Sequence, residues 1–312
     1  MSKADITLIL PGIAPVLKQQ INNSILPVYL KNIIKQARFT ADETKLNRLL
    51  VNQFSQQTTQ GTDLPLASLF GEKLIFADPC HLLPDRDRLI LFADHLDITV
   101  DERTALMAEV EPLLAEFNAE FVQQTDSEHW LLKIKQQPDL TLTALEDVSS
   151  KGLDESLPQG PDRQDWLRLW NEIQMQLFNA KVNQQRIAQG KLAINSVWFW
   201  GMGEFVSQAN RWDVIIGKHS LLKQLAQRSD SEVTETINYS KAATTKAKQL
   251  WLLDDVDLES DWLTEIERID ELVLKPLWQA SKKAKLSQLT IHIPDYGYFK
   301  LTPLDCWKFW KR

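Results

Sequence analysis

Val182–Gly203 reads VNQQRIAQGKLAINSVWFWGMG: a polar helix end, then a short apolar run, then a pair of glycines. The run Ala193–Trp200 is rich in β-branched and aromatic residues and follows polar sequence, which is the pattern of a buried core strand. Gly201 and Gly203 let the backbone turn sharply at the strand's carboxyl end, where open α/β sheets place their ligands. A phosphate-binding loop is often assembled from these parts in this order. A plain strand ending in a turn has the same composition. By the strand period of two, Trp198 and Trp200 fall on one side, so a pocket lined by one of them and simple packing are both open.

Working outward, Ile6–Ile13 (ITLILPGI) is an apolar run stopped by Pro11-Gly12 and reads as a first core strand. Asp101–Phe121 is expected as a main helix, kinked or split at Pro112. Trp166, Leu167, Trp170 and Ile173 give the segment Pro161–Asn179 the apolar face of a helix. Leu145–Pro161, with SSKG and LPQG, is the clearest loop. At 312 residues and 44% hydrophobic content the chain can bury a sizeable core, in one large domain or two. Cys80 and Cys306 lie far apart and read as a reduced pair. The opening MSKADITLILPG is too short in apolar residues for a signal peptide, and no run approaches the roughly 20 apolar residues of a membrane helix. A cytoplasmic chain without a transmembrane segment is expected. A net charge of −7 argues against general nucleic-acid binding, which needs a basic face. The end Trp307–Arg312 alternates aromatic and basic residues, and either packs on the fold or meets a membrane interface or an acidic partner.

The signature segment resembles the "R…GK…aN.iWlWG.G" pattern of the archaeal-type cofactor-independent phosphoglycerate mutases, a branch of the alkaline phosphatase superfamily. The matching residues are Asn183, Arg186, Gly190, Lys191, Asn195, Trp198, Trp200, Gly201 and Gly203. Gly61–Gly71 (GTDLPLASLFG) resembles the family's nucleophile segment, with Asp63 and Gly71 in register, and Ile266–Asp270 (IERID) resembles its "IE.iD". The resemblance implies an α/β fold: an alkaline phosphatase-like core with a central, mostly parallel sheet at residues 1–71 and 140–312, and a smaller inserted α/β cap domain at 72–139. Arg186, Asn195, Trp198, Trp200, Gly201 and Gly203 become the candidate pocket residues. A narrower resemblance, through ADPCHL, LPLASLFG and NSVWFWGMG, is to bacterial regulatory proteins of the RpfE type.

The departures from the family pattern bear on chemistry. The resemblance implies two divalent metals around a serine that carries the phosphoryl group. Here Pro11-Gly12 ends the first strand where the family has an aspartate, Thr62 stands in the serine's place, and no histidine lies between His219 and His292. Asp295-Tyr296 replaces the family's "DH". A threonine hydroxyl can act as a nucleophile, but a two-metal displacement fails without its ligands. Asp78 and Glu128 occupy stretches where the family carries substrate-binding arginines, and carboxylates there repel anionic substrates. Thr62, Asp63 and Asp295 are therefore vestigial candidates. Asp254, Asp255 and Asp257 are oxygen-donor candidates for one divalent ion, or else an exposed loop and helix start. His81 and His95, with Asp78, Asp85, Asp87, Asp94 and Asp97, form a second acidic group. Two readings follow: a degenerate, mutase-like regulatory or binding protein with no cofactor and an unknown protein partner or small ligand, or an active mutase or phosphatase using Mn or Zn and Thr62 as nucleophile.

Overall fold

The computed structural model describes residues 3–19, 26–55, 62–86, 88–122, 129–148, 153–208, 211–235, 238–256 and 261–307. The chain divides into two compact units, one made of Met1–Thr58 with Val206–Arg312, the other of Thr59–Phe205. In chain order the first unit opens with β1 (Ala4–Ile9), α1 (Ala14–Lys18), α2 (Val28–Gln36), β2 (Arg38–Asp42) and α3 (Leu46–Phe54). The second unit carries β3 (Leu74–Asp85), β4 (Arg88–Phe92), α4 (Val100–Glu116), β5 (Ala119–Val122), β6 (Leu131–Ile134), α5 (Arg163–Asn179), α6 (Lys181–Ala188) and β7 (Ser196–Trp200). The first unit resumes with β8 (Val214–Ile216), α7 (Ser220–Arg228), β9 (Val233–Thr234), α8 (Tyr239–Ala242), β10 (Lys248–Leu252), α9 (Trp262–Ile269), α10 (Lys275–Lys282), β11 (Leu286–Ile293) and β12 (Tyr296–Leu301).

The first unit is a seven-stranded α/β sheet in the order β2-β12-β11-β1-β10-β8-β9. From β11 through β9 the pairing is parallel, and β12 and β2 add an antiparallel edge. The apolar run expected as a first core strand is β1, the central strand, with Ile6 and Leu8 inaccessible to solvent. Each such side chain contributes about 1.5–3 kcal/mol by leaving water. β1 stops at Pro11-Gly12 because Gly12 has φ +82° and a Cβ there would fall 2.3 Å from the Asp255 carboxylate, a position only glycine can occupy. Asp270, in the π turn that joins α9 to α10, accepts hydrogen bonds from the N–H groups of Tyr29 (3.0 Å) and Leu30 (2.6 Å). It thereby caps the amino end of α2, which has no side-chain cap of its own.

The second unit is antiparallel throughout. The long strand β3 pairs with β6 at Leu74–Phe76, with β7 at Phe76–Cys80 and with β4 at His81–Asp85. This moves the expected boundaries. The inserted unit runs from 59 to 205 rather than from 72 to 139, since β7 and the helix that covers it, α5, belong to the sheet built on β3. The expected strand at Ala193–Trp200 is present as Ser196–Trp200 and is buried along its whole length, but it is a strand of this antiparallel sheet and not of the parallel one. The helix expected at Asp101–Phe121 is α4. It opens with a capping box between Thr99 and Glu102, passes Pro112 without interruption and ends at Glu116, since Asn118 takes a left-handed φ of 51° and β5 begins at Ala119. Cys80 and Cys306 are both free thiols and both buried. Of the terminal aromatic-basic segment, Trp307 is half-exposed with the Lys282 ammonium 5.6 Å from its ring, and 308–312 lie outside the described residues. No helix among the described residues is long and apolar enough to cross a membrane.

Candidate functional site

The glycine turn after β7 is an anion nest, and its anion is a side chain of the same unit. One carboxylate oxygen of Asp63 accepts the N–H groups of Leu64 (2.8 Å) and Gly201 (2.9 Å), while the other accepts that of Met202 (2.9 Å). Successive N–H groups aimed at one point make a concavity suited to phosphate or carboxylate. Gly201 supplies the required backbone at φ +86°, and a Cβ there would meet the Phe76 ring at 2.4 Å. Gly203 follows at φ +114° beside Pro65. The adjoining Thr62 hydroxyl donates to the Leu142 carbonyl, and the Thr62 carbonyl accepts from the Ala144 N–H at 2.9 Å. Asp63 and Thr62 thus tie the segment at 62–67 to the end of β7 and to the loop at 142–144.

The other signature residues also make bonds within the scaffold. The Arg186 guanidinium is fully buried. Its Nε donates to the Leu192 carbonyl (2.9 Å), Nη2 to that of Leu96, and Nη1 to the Glu102 carboxylate (2.9 Å). Burial raises the Glu102 carboxyl, but the Thr99 N–H and the charges of Arg186 and Lys191 outweigh it and hold the group below the usual carboxylate range. Asn195 pairs with both backbone groups of Leu82, accepting at 2.7 Å and donating at 2.9 Å. Asn183 does the same between α5 and β7, bonding the Leu177 carbonyl and both backbone groups of Ile194. Trp198 donates to the Thr143 carbonyl and stacks edge-on with Trp170, and Trp200 donates to Asp78. Both indoles are buried, 2% and 1% exposed, so neither offers a face to a ligand.

Asp78, read from sequence as a charge reversal in a substrate pocket, is a buried acceptor. Its carboxylate takes the Trp200 indole N–H (2.8 Å), the Trp130 N–H (3.1 Å) and His129 Nδ1 (2.8 Å). Sequence reasoning missed His129 as its partner, since fifty-one positions separate the two and only the pairing of β3 with β7 and β6 gathers them. Glu128, Asp87 and Gly61 lie outside the described residues. His81 points its Nδ1 at the Ala193 carbonyl, 2.8 Å away.

In the first unit the candidates separate. Asp254 is exposed and faces Lys218 at 3.5 Å, beside a cavity of about 240 Å³ that Tyr239 and Arg268 also line. Asp255 and Asp295 instead line one larger cavity, of about 630 Å³, with Pro11 and Gly12. Asp257 lies outside the described residues, and Asp261 caps α9 through the Thr264 N–H and hydroxyl. Among the described residues no three His, Cys, Asp or Glu side chains are grouped so as to hold a metal ion. The described lining that Asp255 and Asp295 share carries no imidazole.

No protein-family model matches the chain. It is similar to a probable 2,3-bisphosphoglycerate-independent phosphoglycerate mutase of Geobacter sulfurreducens, at 25% identity over 127 residues, which is 40% of this chain. The matched stretch spans 31% of that relative, under a third of its length. Among solved structures it is similar to the cofactor-independent phosphoglycerate mutase of Thermoplasma acidophilum, at 14% identity and a TM-score of 0.44 over 97% of this chain and 90% of that one. It is also similar to the PH0037 protein of Pyrococcus horikoshii, at 11% identity and a TM-score of 0.49 over 96% and 87%. The chain thus has phosphoglycerate mutase-like relatives and a mixed α/β fold with a large, mostly parallel sheet.

Proposed function

We propose that this chain is a mutase-like protein that works by binding, as a regulatory protein of the kind its RpfE-type resemblance implies, and that it does not carry out two-metal phosphoryl transfer. The observation that carries the reading is the engagement of Asp63. A carboxylate that accepts three backbone N–H groups in the Gly201 turn is committed to holding that turn. Beside it, the Thr62 hydroxyl donates its hydrogen bond to a backbone carbonyl, which cannot act as a general base. The signature Arg186 and Asn195 point the same way, since backbone carbonyls and Glu102 take the donors that would otherwise face a phosphate.

The test is a coupled assay of interconversion between 3- and 2-phosphoglycerate, with manganese and with zinc, for the full chain and for Thr62→Ala. The reading predicts no turnover above the blank for either. Turnover by the full chain that Thr62→Ala abolishes would overturn it and establish Thr62 as a nucleophile.

A further inference from the structure

The seven-stranded sheet of the first unit ends on two edges of different kinds. β9 is two residues long, a length that blunts an edge. β2 is five residues long, pairs with β12 from Arg38 to Asp42 without a bulge, and carries neither Pro nor Lys, the residues that commonly guard such an edge. Arg38, Phe39, Thr40 and Ala41 are all exposed, Phe39 over 45% of its surface. An edge of this kind is a template on which a further strand can be added.

The order of residues along β2 selects the strand that fits it. RFTAD has a positive charge at one end, a negative charge at the other and three uncharged residues between. Turned antiparallel on itself about Thr40, it sets Arg38 opposite Asp42, Phe39 opposite Ala41 and Thr40 opposite Thr40, and two-fold symmetry makes each unlike pair twice. Arg38, Thr40 and Asp42 share one face by the period of two, so the two ion pairs flank the threonines. On the other face each Phe39 ring meets the methyl group of an Ala41, large against small. Parallel pairing in register would instead set Arg38 on Arg38 and Asp42 on Asp42. Within the sheet Arg38 stands opposite Lys300, so a carboxylate on its open side offsets a like-charged neighbour. Asp42 accepts the Thr44 N–H and hydroxyl through one oxygen, Oδ1, and a carboxylate can accept on both.

We infer that β2 is the seat of a symmetric, reversible dimer, in which β2 of a second copy of this chain pairs antiparallel with it about Thr40 and joins two seven-stranded sheets into one. Five residues a side make a small interface, so association depends on concentration.

The experiment is sedimentation velocity of the full chain over a concentration series, for the parent, for Arg38→Glu, for Asp42→Lys and for an equimolar mixture of the two variants. The average mass of the parent should rise with concentration from that of one chain towards that of two. Arg38→Glu sets glutamate against aspartate at both pairs, and Asp42→Lys sets arginine against lysine, so each alone should raise the dissociation constant about tenfold or more. The mixture should recover the dimer, because the introduced glutamate then faces the introduced lysine while the native Arg38 faces the native Asp42. Unchanged melting temperatures certify the variants as folded, and Arg38→Glu, at an exposed position, decides alone if loss of the Thr44 bonds unfolds Asp42→Lys. A dimer that Arg38→Glu leaves unchanged, or a mixture of folded variants no more associated than either alone, overturns the inference. A parent that stays monomeric throughout the series also overturns it and leaves the edge to a strand of another protein.

Discussion

At the residue scale the signature segment shows how a motif can be read correctly and its purpose missed. Asn183, Arg186, Asn195, Trp198, Trp200 and Gly201 were legible as a set, and each bonds a different partner within the second unit. Their roles were not, since a role depends on which acceptor each donor meets. Leu96 and Leu82 lie far from Arg186 and Asn195 in sequence, and no spacing rule connects them. Asp63 is the sharpest case, because it stands where a nucleophile's neighbour is expected and serves as the internal anion of the Gly201 turn. Replacing it strands part-buried N–H groups at Leu64, Gly201 and Met202. Asp63→Ala should cost about 2–3 kcal/mol of stability, the scale of hydrogen bonds to a charged group plus unsatisfied donors. Asp63→Asn should cost less, keeping one acceptor oxygen. Urea denaturation measures both, and a loss below about 0.5 kcal/mol for the alanine variant would mean that the turn holds without its anion.

At the element scale, hydrophobic periodicity found what it is suited to find. β1, α5 and β7 are where their apolar patterns put them, and the acidic run before α9 resolves as an exposed Asp254 and a helix cap at Asp261. Pairing was not legible. β7 looks like any buried strand, and its partner β3 contains ADPCHLLPD, whose aspartates and prolines argue against a central strand until Asp78 is seen to satisfy Trp200, Trp130 and His129. The hairpin of β11 and β12 carries a testable titration. His292 stacks on its cross-strand partner Tyr298, and burial pushes its imidazole down to about 4, with Asp42 opposing the shift and Lys300 adding to it. The folded state holds this ring neutral, whereas the unfolded chain protonates it near 6.5. Its contribution is therefore full above about pH 6.5 and is lost as pH falls towards 4, a change of about 3 kcal/mol. His292→Gln should flatten the difference in urea midpoint between pH 7 and pH 4.5. An undiminished difference would place the acid sensitivity elsewhere.

At the scale of the whole molecule, the class of fold was legible and its partition was not. An α/β core interrupted by an insertion follows from the resemblance, and the seven-stranded sheet and the 59–205 unit are of that kind. The boundary shifted because a domain edge is drawn by long-range pairing. The segment most diagnostic in sequence lies in the insertion, where it supports an antiparallel sheet. The departures Pro11-Gly12 and Asp295, distant in sequence, meet at one cavity of the parallel sheet. The central claim is the one proposed above, that a chain with mutase-like relatives does not carry out two-metal phosphoryl transfer. Calorimetric titration of the full chain with manganese(II) tests it most directly. The account predicts no saturable binding up to millimolar metal, whereas tight binding of two equivalents that Thr62→Ala weakens would contradict it.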